Sequence, residues 1–340
     1  MALTLRRYVP HLDVTIISQR PAGRAVAVGE TLSPGVLPLL RYLCLDEAFQ
    51  RGGHLPSGGT ASAWGAPHVT ERSYLFTGSG HGFHLDRANF DAWLLDHARA
   101  LGASVVEARA VRAECADGRW TLALGKGDPI VSAAIVDATG RASWLARQQG
   151  QLPRRNDALV AVAQWYQHDR TEVSTDGALV EAVADGWWYS ASLPGGRGVA
   201  MLMTDHDLRA SREWAERLAG APATSARIAS WHPDGPSVVR AANSQSLEAP
   251  AGQGWTVAGD AAAAFDPISS MGIGFSLRSG MEAARVAVGA LEGDVEPAAH
   301  YAASMRRIYA DYLRRRSAIY AMERRWPESP FWARRHAAGA

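Results

Sequence analysis

A chain of 340 residues, 47% of them hydrophobic, is long enough to bury a large core and to hold one or two closely joined domains. Its 35 basic and 34 acidic residues leave a formal net charge of +1, which gives no electrostatic reason to expect nucleic acid or an anionic membrane as partner. Cys44 and Cys115 alone make no disulfide framework, and no apolar run approaches the ~20 residues that span a bilayer. Arg6, Arg7 and Asp13 interrupt any signal-peptide pattern, so the expected location is cytoplasmic.

Ala2 to Tyr8 reads as the end of a helix, and Pro10-His11 turns the chain into a strand from Asp13 to Ser18. Gly29-Glu30-Thr31-Leu32-Ser33-Pro34-Gly35 reads as a turn and cap ahead of a helix from Val36 to Phe49. The glycine-rich stretch 52–82 reads as hairpins, with strand-like pieces at Thr60–Trp64 and Tyr74–Phe76. His81 and His84 have no Cys, Asp or Glu set around them, so no metal site is expected. Asp86 is a good N-cap for a helix running through Ala100, with Phe90, Trp93, Leu94 and His97 at helical spacing. Strands follow at Ser104–Ala108, Ala110–Cys115, Trp120–Leu124 and Ile130–Val136, the second and third joined by an Asp117-Gly118 hairpin signal. The last strand ends at Asp137-Ala138-Thr139-Gly140, where small residues let the backbone approach a ligand, and a short helix covers Ser143–Arg147.

Val160–Gln167, Ala178–Val183, Gly186–Pro194 and Val199–Thr204 read as an antiparallel sheet, followed by a helix from Asp205 to Ala219 and a returning strand from Ser237 to Leu247. Trp255-Thr256-Val257-Ala258 is a short buried strand ending in Gly259-Asp260. A loop crosses with Asp266-Pro267, and a helix starts at the Gly272/Gly274 pair and runs to Gly293. A carboxylate at a strand's C-terminal end accepts hydrogen bonds from a sugar or ribityl hydroxyl, and glycines at a helix start let backbone N–H groups approach an anion or an electron-rich ring. The tail from Pro297 to Trp326 is an amphipathic helix with a solvated basic face at Arg314-Arg315-Arg316; a partner-docking helix is the other reading. The organisation is therefore 1–155, 156–250 (antiparallel sheet), 251–295 (return to the first domain) and 296–340 (helical tail).

Three of these pieces carry a resemblance. Gly259-Asp260-Ala261-Ala262 with Asp266-Pro267-Ile268-Ser269-Ser270-Met271-Gly272-Ile273, His84-Leu85-Asp86-Arg87 and Asp137-Ala138-Thr139-Gly140 stand in the order found in the FAD-dependent aromatic hydroxylase superfamily, and the first resembles its tryptophan-halogenase-like branch. The resemblance implies an α/β fold: a FAD-binding Rossmann-like parallel sheet with an antiparallel substrate domain and C-terminal helices. It implies FAD as cofactor, held by Glu30 in a strap, Arg87, Thr139, Gly140, Gly259, Asp260 on the ribityl chain, Pro267 facing the ring, and the backbone at Gly272, Ile273 and Gly274. For Glu30 the alternative is a plain turn, and for Arg87 a surface charge. Asp266 is read as a loop cap, not a base.

The chain departs from the pattern in two places. The family's first strand and Gly-x-Gly-x-x-Gly turn are absent ahead of Asp13, so the sheet should lack its first strand; a start codon internal to the true gene is the expectation. Ser18 stands where an acidic residue usually holds the adenosine ribose. The resemblance implies hydroxylation of an aromatic substrate, indole or peptidyl-tryptophan, through a flavin C4a-hydroperoxide. The substrate is then a small aromatic molecule or a partner protein carrying the target tryptophan, and the reductant is NADPH or a separate flavin reductase. Halogenation is the alternative; the halogenases need a catalytic lysine, and Lys126 is the only lysine here. A shortened, non-catalytic binding protein is the third reading. No residue stands out as catalytic base; His81, His84 and Glu30 are the candidates.

Overall fold

The computed structural model describes residues 1–19, 28–74, 80–169, 177–208 and 214–337. Among these residues the helices are α1 (Ala2–Tyr8), α2 (Leu37–Tyr42), α3 (Asp46–Gln50), α4 (Arg87–Ala100), α5 (Trp144–Gln148), α6 (Trp214–Ala219), α7 (Pro222–Ile228), α8 (Gly272–Glu292), α9 (Glu296–Met322) and α10 (Pro330–Ala337).

Two parallel strand pairs form one half of the molecule. Thr15–Ile17 pairs with Ser104–Val106, and Ile135–Asp137 pairs with the fully buried strand Trp255–Val257. Among the described residues the two pairs share no ladder hydrogen bond. This is a Rossmann-like parallel sheet without its usual first strand, as the sequence predicts. The apolar faces of α8 and α9 cover Trp255 and Val257, with Phe265, Phe275, Tyr301, Met305 and Tyr312 in one core.

The second half is built on an eight-stranded sheet. Leu159–Gln167, Arg197–Asp205, Gly186–Leu193 and Ala178–Val183 are antiparallel neighbours. Gly59–Ala63 then adds in parallel to Ala178–Val183, with Thr70–Ser73 outside it. The 52–82 region therefore extends this sheet, while Leu55–Ser57 and Gly82–His84 form a small separate sheet with Thr31–Leu32. The central strands of the large sheet are buried on both faces, while Thr70–Ser73 and Val238–Ala241 at its margins are largely exposed. Leu159, Ala161, Ala163 and Trp165 pack with Tyr320, Phe331 and Trp332 of α9 and α10; Val162 and Tyr166, on the other face, pack with Ile228 of α7 and with Trp231. The period of two separates the two cores without any polar face.

Three expected elements are divided and a fourth is shortened. The predicted helix Val36–Phe49 is a 3-10 turn followed by α2 and α3, broken where Cys44 adopts φ +52°. Leu43 and Leu45 are both buried. In one continuous helix they would lie on nearly opposite faces, so the reversal at Cys44 turns both inward. The predicted strand Ile130–Val136 is two strands: Ile130–Ser132 pairs antiparallel with Arg119–Leu124, and Ile135–Asp137 joins the parallel sheet. The predicted strand Ser237–Leu247 changes sheets, Val238–Ala241 joining the large sheet and Gln245–Ser246 a small one. The predicted helix Asp205–Ala219 starts late: Asp205 ends a strand, and α6 begins at Trp214, with 209–213 outside the described residues. The tail likewise ends α9 at Met322 and restarts as α10. Leu75 and Phe76, read above as part of a strand, also lie outside the described residues.

Candidate functional site

The site grows from the end of the strand Trp255–Val257. Gly259 follows at φ +61°, and a Cβ there would come within 3.1 Å of Ser276 Oγ. Its N–H donates to Ser279 Oγ at 2.9 Å. Only glycine lets this turn lie so close to the first turns of α8. Asp260 is thereby set at the strand's C-terminal end, its side chain about 36% exposed and 3.6 Å from Arg141 Nε. Burial pushes the Asp260 carboxyl up, while the Arg141 and Arg87 charges pull it down.

The loop after it is held from below. Asp266 caps its own 3-10 turn, accepting from the Ile268 N–H at 3.0 Å, as the sequence predicts. Its other oxygen accepts from Tyr320 OH at 2.7 Å and Arg316 Nε at 3.2 Å, and its N–H donates to Tyr312 OH at 2.8 Å. Arg316 also reaches Asp157 Oδ2 at 3.0 Å. Arg316 is thus buried, not part of a solvated basic face, because two carboxylates meet it inside. Above this anchor Pro267, Ser270 and Gly272 are exposed, and α8 begins at Gly272 with no side-chain cap from Met271. The first N–H groups of this 21-residue helix lack intrahelical partners, as at any helix start. Gly274 packs under Val36, where a Cβ would meet Cγ2 at 3.1 Å, and so ties the Glu30–Val36 segment to the helix start.

Asp137 is a local organiser. Its oxygens accept from Thr139 N–H and Leu145 N–H, both at 2.8 Å, and Thr139 Oγ1 accepts from Trp144 N–H at 3.1 Å. Thr139's hydroxyl is therefore spent on α5. Gly140, at φ +69°, has open space where a side chain would go.

Glu30 is 2% exposed, and its Oε1 has no hydrogen-bond partner among the described residues. The Gly29 N–H donates to Oε2 at 3.0 Å. Burial pushes its pKa up to about 7 against the charges of Arg87 and Arg197. Arg87 donates to the carbonyls of Val28 at 3.0 Å and Gly29 at 3.1 Å and pairs with Asp91 at 3.2 Å. Its charge is felt by Glu30 and Asp260 alike, so these three predicted residues share one neighbourhood. Asp86 caps α4 through the Asn89 N–H at 3.2 Å and also binds Arg197 Nη1 at 2.5 Å, joining the large sheet to α4. Thr31 Oγ1 bridges His84 Nδ1 at 3.1 Å and Tyr189 OH at 2.6 Å. His84 is buried in this chain of contacts, whereas His81 is exposed and lies against Phe83. Arg141, Tyr189 and Arg197 were missed on the sequence. Arg141 directly follows the Asp137–Gly140 motif, a usable signal; nothing local marks the other two.

The family model described as tryptophan halogenase matches residues 54–339. The chain belongs to the tryptophan halogenase family. A putative FAD-dependent oxidoreductase, LodB, of Marinomonas mediterranea is 32% identical over 97% of this chain and 92% of its own length. The solved peptidyl tryptophan dihydroxylase QhpG is 26% identical, with a TM-score of 0.78, 98% of this chain covered and 75% of QhpG. The flavin-dependent halogenase CmlS shares the fold at a TM-score of 0.86 and 22% identity; this chain, covered over 98%, spans 65% of CmlS. This family member is a FAD-binding flavoprotein. The residues fit one end of the cofactor well: an uncapped helix start, a partly exposed carboxylate at a strand end, and a buried Glu30 oxygen without a partner among the described residues. For the pyrophosphate end the chain contains no Gly-x-Gly-x-x-Gly turn. No helix of the described residues is long and apolar enough to cross a membrane.

Proposed function

We propose that this protein is a FAD-dependent enzyme that oxidatively substitutes an electron-rich, tryptophan-type aromatic ring. The observation that carries the reading is the placement of Asp260 beside the uncapped start of α8. FAD, when bound, supplies the redox chemistry. Asp260 would hold its ribityl hydroxyls, with Arg141 fixing the carboxylate. The N–H groups of Gly272, Ile273 and Gly274 would stabilise negative charge at the ring edge. Pro267 stiffens the loop, and Arg87 ties the Val28–Glu30 strap to α4. Glu30, poised near neutrality, can accept or return a proton at Oε1.

The family relationship supports halogen transfer ahead of hydroxylation, which ranked first on the sequence. One observation favours hydroxylation as the second reading: Lys126, the only lysine, sits exposed in the turn between the strands Arg119–Leu124 and Ile130–Ser132. QhpG's described activity on peptidyl tryptophan also makes a protein-borne tryptophan a candidate substrate. The test is mass spectrometry of indole, free tryptophan and a tryptophan peptide after incubation with protein, FAD, reductant, bromide and isotopically labelled oxygen. A bromine isotope pattern establishes halogenation, and labelled oxygen in the product establishes hydroxylation. A chain that takes up FAD and alters none of these rings would defeat the proposed class of reaction.

A further inference from the structure

Helix α5 borders a second cleft. It is a shallow depression open to solvent, about 540 Å³ in volume, and is lined by Arg141, Ala142, Trp144, Arg147, Gln148 and Arg155. That size suits a small molecule, whose sites run roughly 300–1,000 Å³. The charge is one-sided: from Ala138 to Asn156 the chain carries Arg141, Arg147, Arg154 and Arg155 and no acidic residue, in a protein of net charge +1. Arg141 is already committed, donating to the carbonyls of Asn243 and Phe265 and facing Asp260. Arg147 and Arg155 are not. Arg147 uses only Nε, donating to Ala142 O at 2.8 Å. Arg155 is exposed on a two-residue strand pinned by Gln245. Neither has an acidic partner among the described residues. Trp144 is half-buried between them, packed on one side against the α8–α9 core and facing the cleft on the other.

We propose that this cleft binds a phosphate-bearing aromatic nucleotide, distinct from the FAD held at Asp260. Two guanidinium forks mounted on separate elements match phosphate oxygens, and an indole face beside them takes a planar base by stacking. An acidic protein surface would use the same charges but would leave the Trp144 indole in the cleft without a planar partner. A nicotinamide nucleotide and a flavin nucleotide share the recognised chemistry. That such a nucleotide would serve the enzyme's redox cycle rests on the proposed function; its binding does not.

The experiment is calorimetric titration of the full chain, with and without added FAD, using ADP, NADP⁺, FMN and inorganic pyrophosphate as probes. FAD content is followed by visible absorbance. A nucleotide should bind in both states, more weakly as salt rises. Arg147→Ala and Arg155→Ala should each weaken it about tenfold with melting temperature and FAD content unchanged. Tighter binding of NADP⁺ or of FMN tells which source the cleft accepts, and either supports the site. The proposal falls if no nucleotide binds or if both variants bind like the parent. It also falls if pyrophosphate binds as tightly as every nucleotide, or if FAD loading abolishes ADP binding. A chain that takes up no FAD yet binds ADP through Arg147 and Arg155 loses the proposed function and keeps this site.

Discussion

At Glu30 a carboxyl is buried with one oxygen unpartnered among the described residues, and its proton is held more tightly in the folded chain than in the unfolded one. The folded pKa of about 7 against an ordinary 4.5 means stability falls as pH rises through that interval. The cost above it is on the order of 3 kcal/mol. Glu30→Gln in the cofactor-free protein should therefore be neutral at pH below the ordinary carboxylate range and stabilising above neutrality. Equal melting shifts at both ends of that range would show that Glu30 titrates normally. Asp260 differs, because it is partly exposed and faces Arg141. Asp260→Ala should lower FAD affinity roughly 10- to 100-fold while leaving the melting temperature of the FAD-free protein unchanged. FAD titration by fluorescence quenching reads this, and unchanged affinity would remove Asp260 from the cradle. Both residues stood out on the sequence because each sits inside a short motif. Tyr189 and Arg197 did not, since what brings them to Thr31 and Asp86 is the pairing of distant strands.

Among the elements, α9 does more than cover the core. Through Arg316, Tyr320 and Tyr312 it grips Asp266, 46 to 54 residues away in sequence, and so sets the loop that leads into α8. Trp187 of the large sheet donates to the same Tyr320 oxygen at 3.0 Å, so both halves meet at this point. Arg316→Met would leave Asp266 and Asp157 without their shared cation and should cost roughly 3–5 kcal/mol in denaturant unfolding. The double variant D266N/R316M should lose clearly less than the sum of the two single changes, because the pair is coupled. Strict additivity would mean the two side chains do not interact. The helical period in the sequence places Tyr312, Arg316 and Tyr320 on one stripe of α9. It could not say that the stripe's arginine turns inward, because the carboxylates that make this tolerable come from the residues around 157 and 266.

Over the whole molecule, the two halves depend on close backbone approaches between distant segments. Gly59 opens the strand that joins Ala178–Val183 in parallel; a Cβ on Gly59 would meet Arg72 O at 2.3 Å, and one on Gly177 would meet Gly59 O at 2.1 Å. Gly177→Ala should cost about 2 kcal/mol or more by forcing these strands apart. Faster amide exchange in 178–183 should accompany it; an unchanged exchange pattern would contradict the join. The C-terminal end is fastened similarly. Arg335 and Arg334 reach the buried Asp205 at 2.7 Å and 2.9 Å and so clamp α10 against the end of its strand. The parallel strands are the less complete part, since the pairs Thr15–Ile17/Ser104–Val106 and Ile135–Asp137/Trp255–Val257 are not bonded to each other among the described residues.

The sequence alone determined what short-range chemistry controls: the strand–Gly259–Asp260–loop–α8 unit, the Asp86 cap, the Asp266 turn, the FAD-binding fold and its missing first strand. The first three follow from periodicity, capping and glycine placement within a few residues of one another; the fold and its missing strand follow from the resemblance of three motifs to a known family. Only the tertiary structure decided where apolar runs divide, as at Cys44, Ala133 and Asn243, because each half of such a run answers to a different sheet or core. It alone brought the charge of Arg87 within reach of both Glu30 and Asp260, and it alone buried Arg316 on Asp266. The reason is the same in each case: a charge or a strand edge is settled by its partner, and these partners lie across the fold.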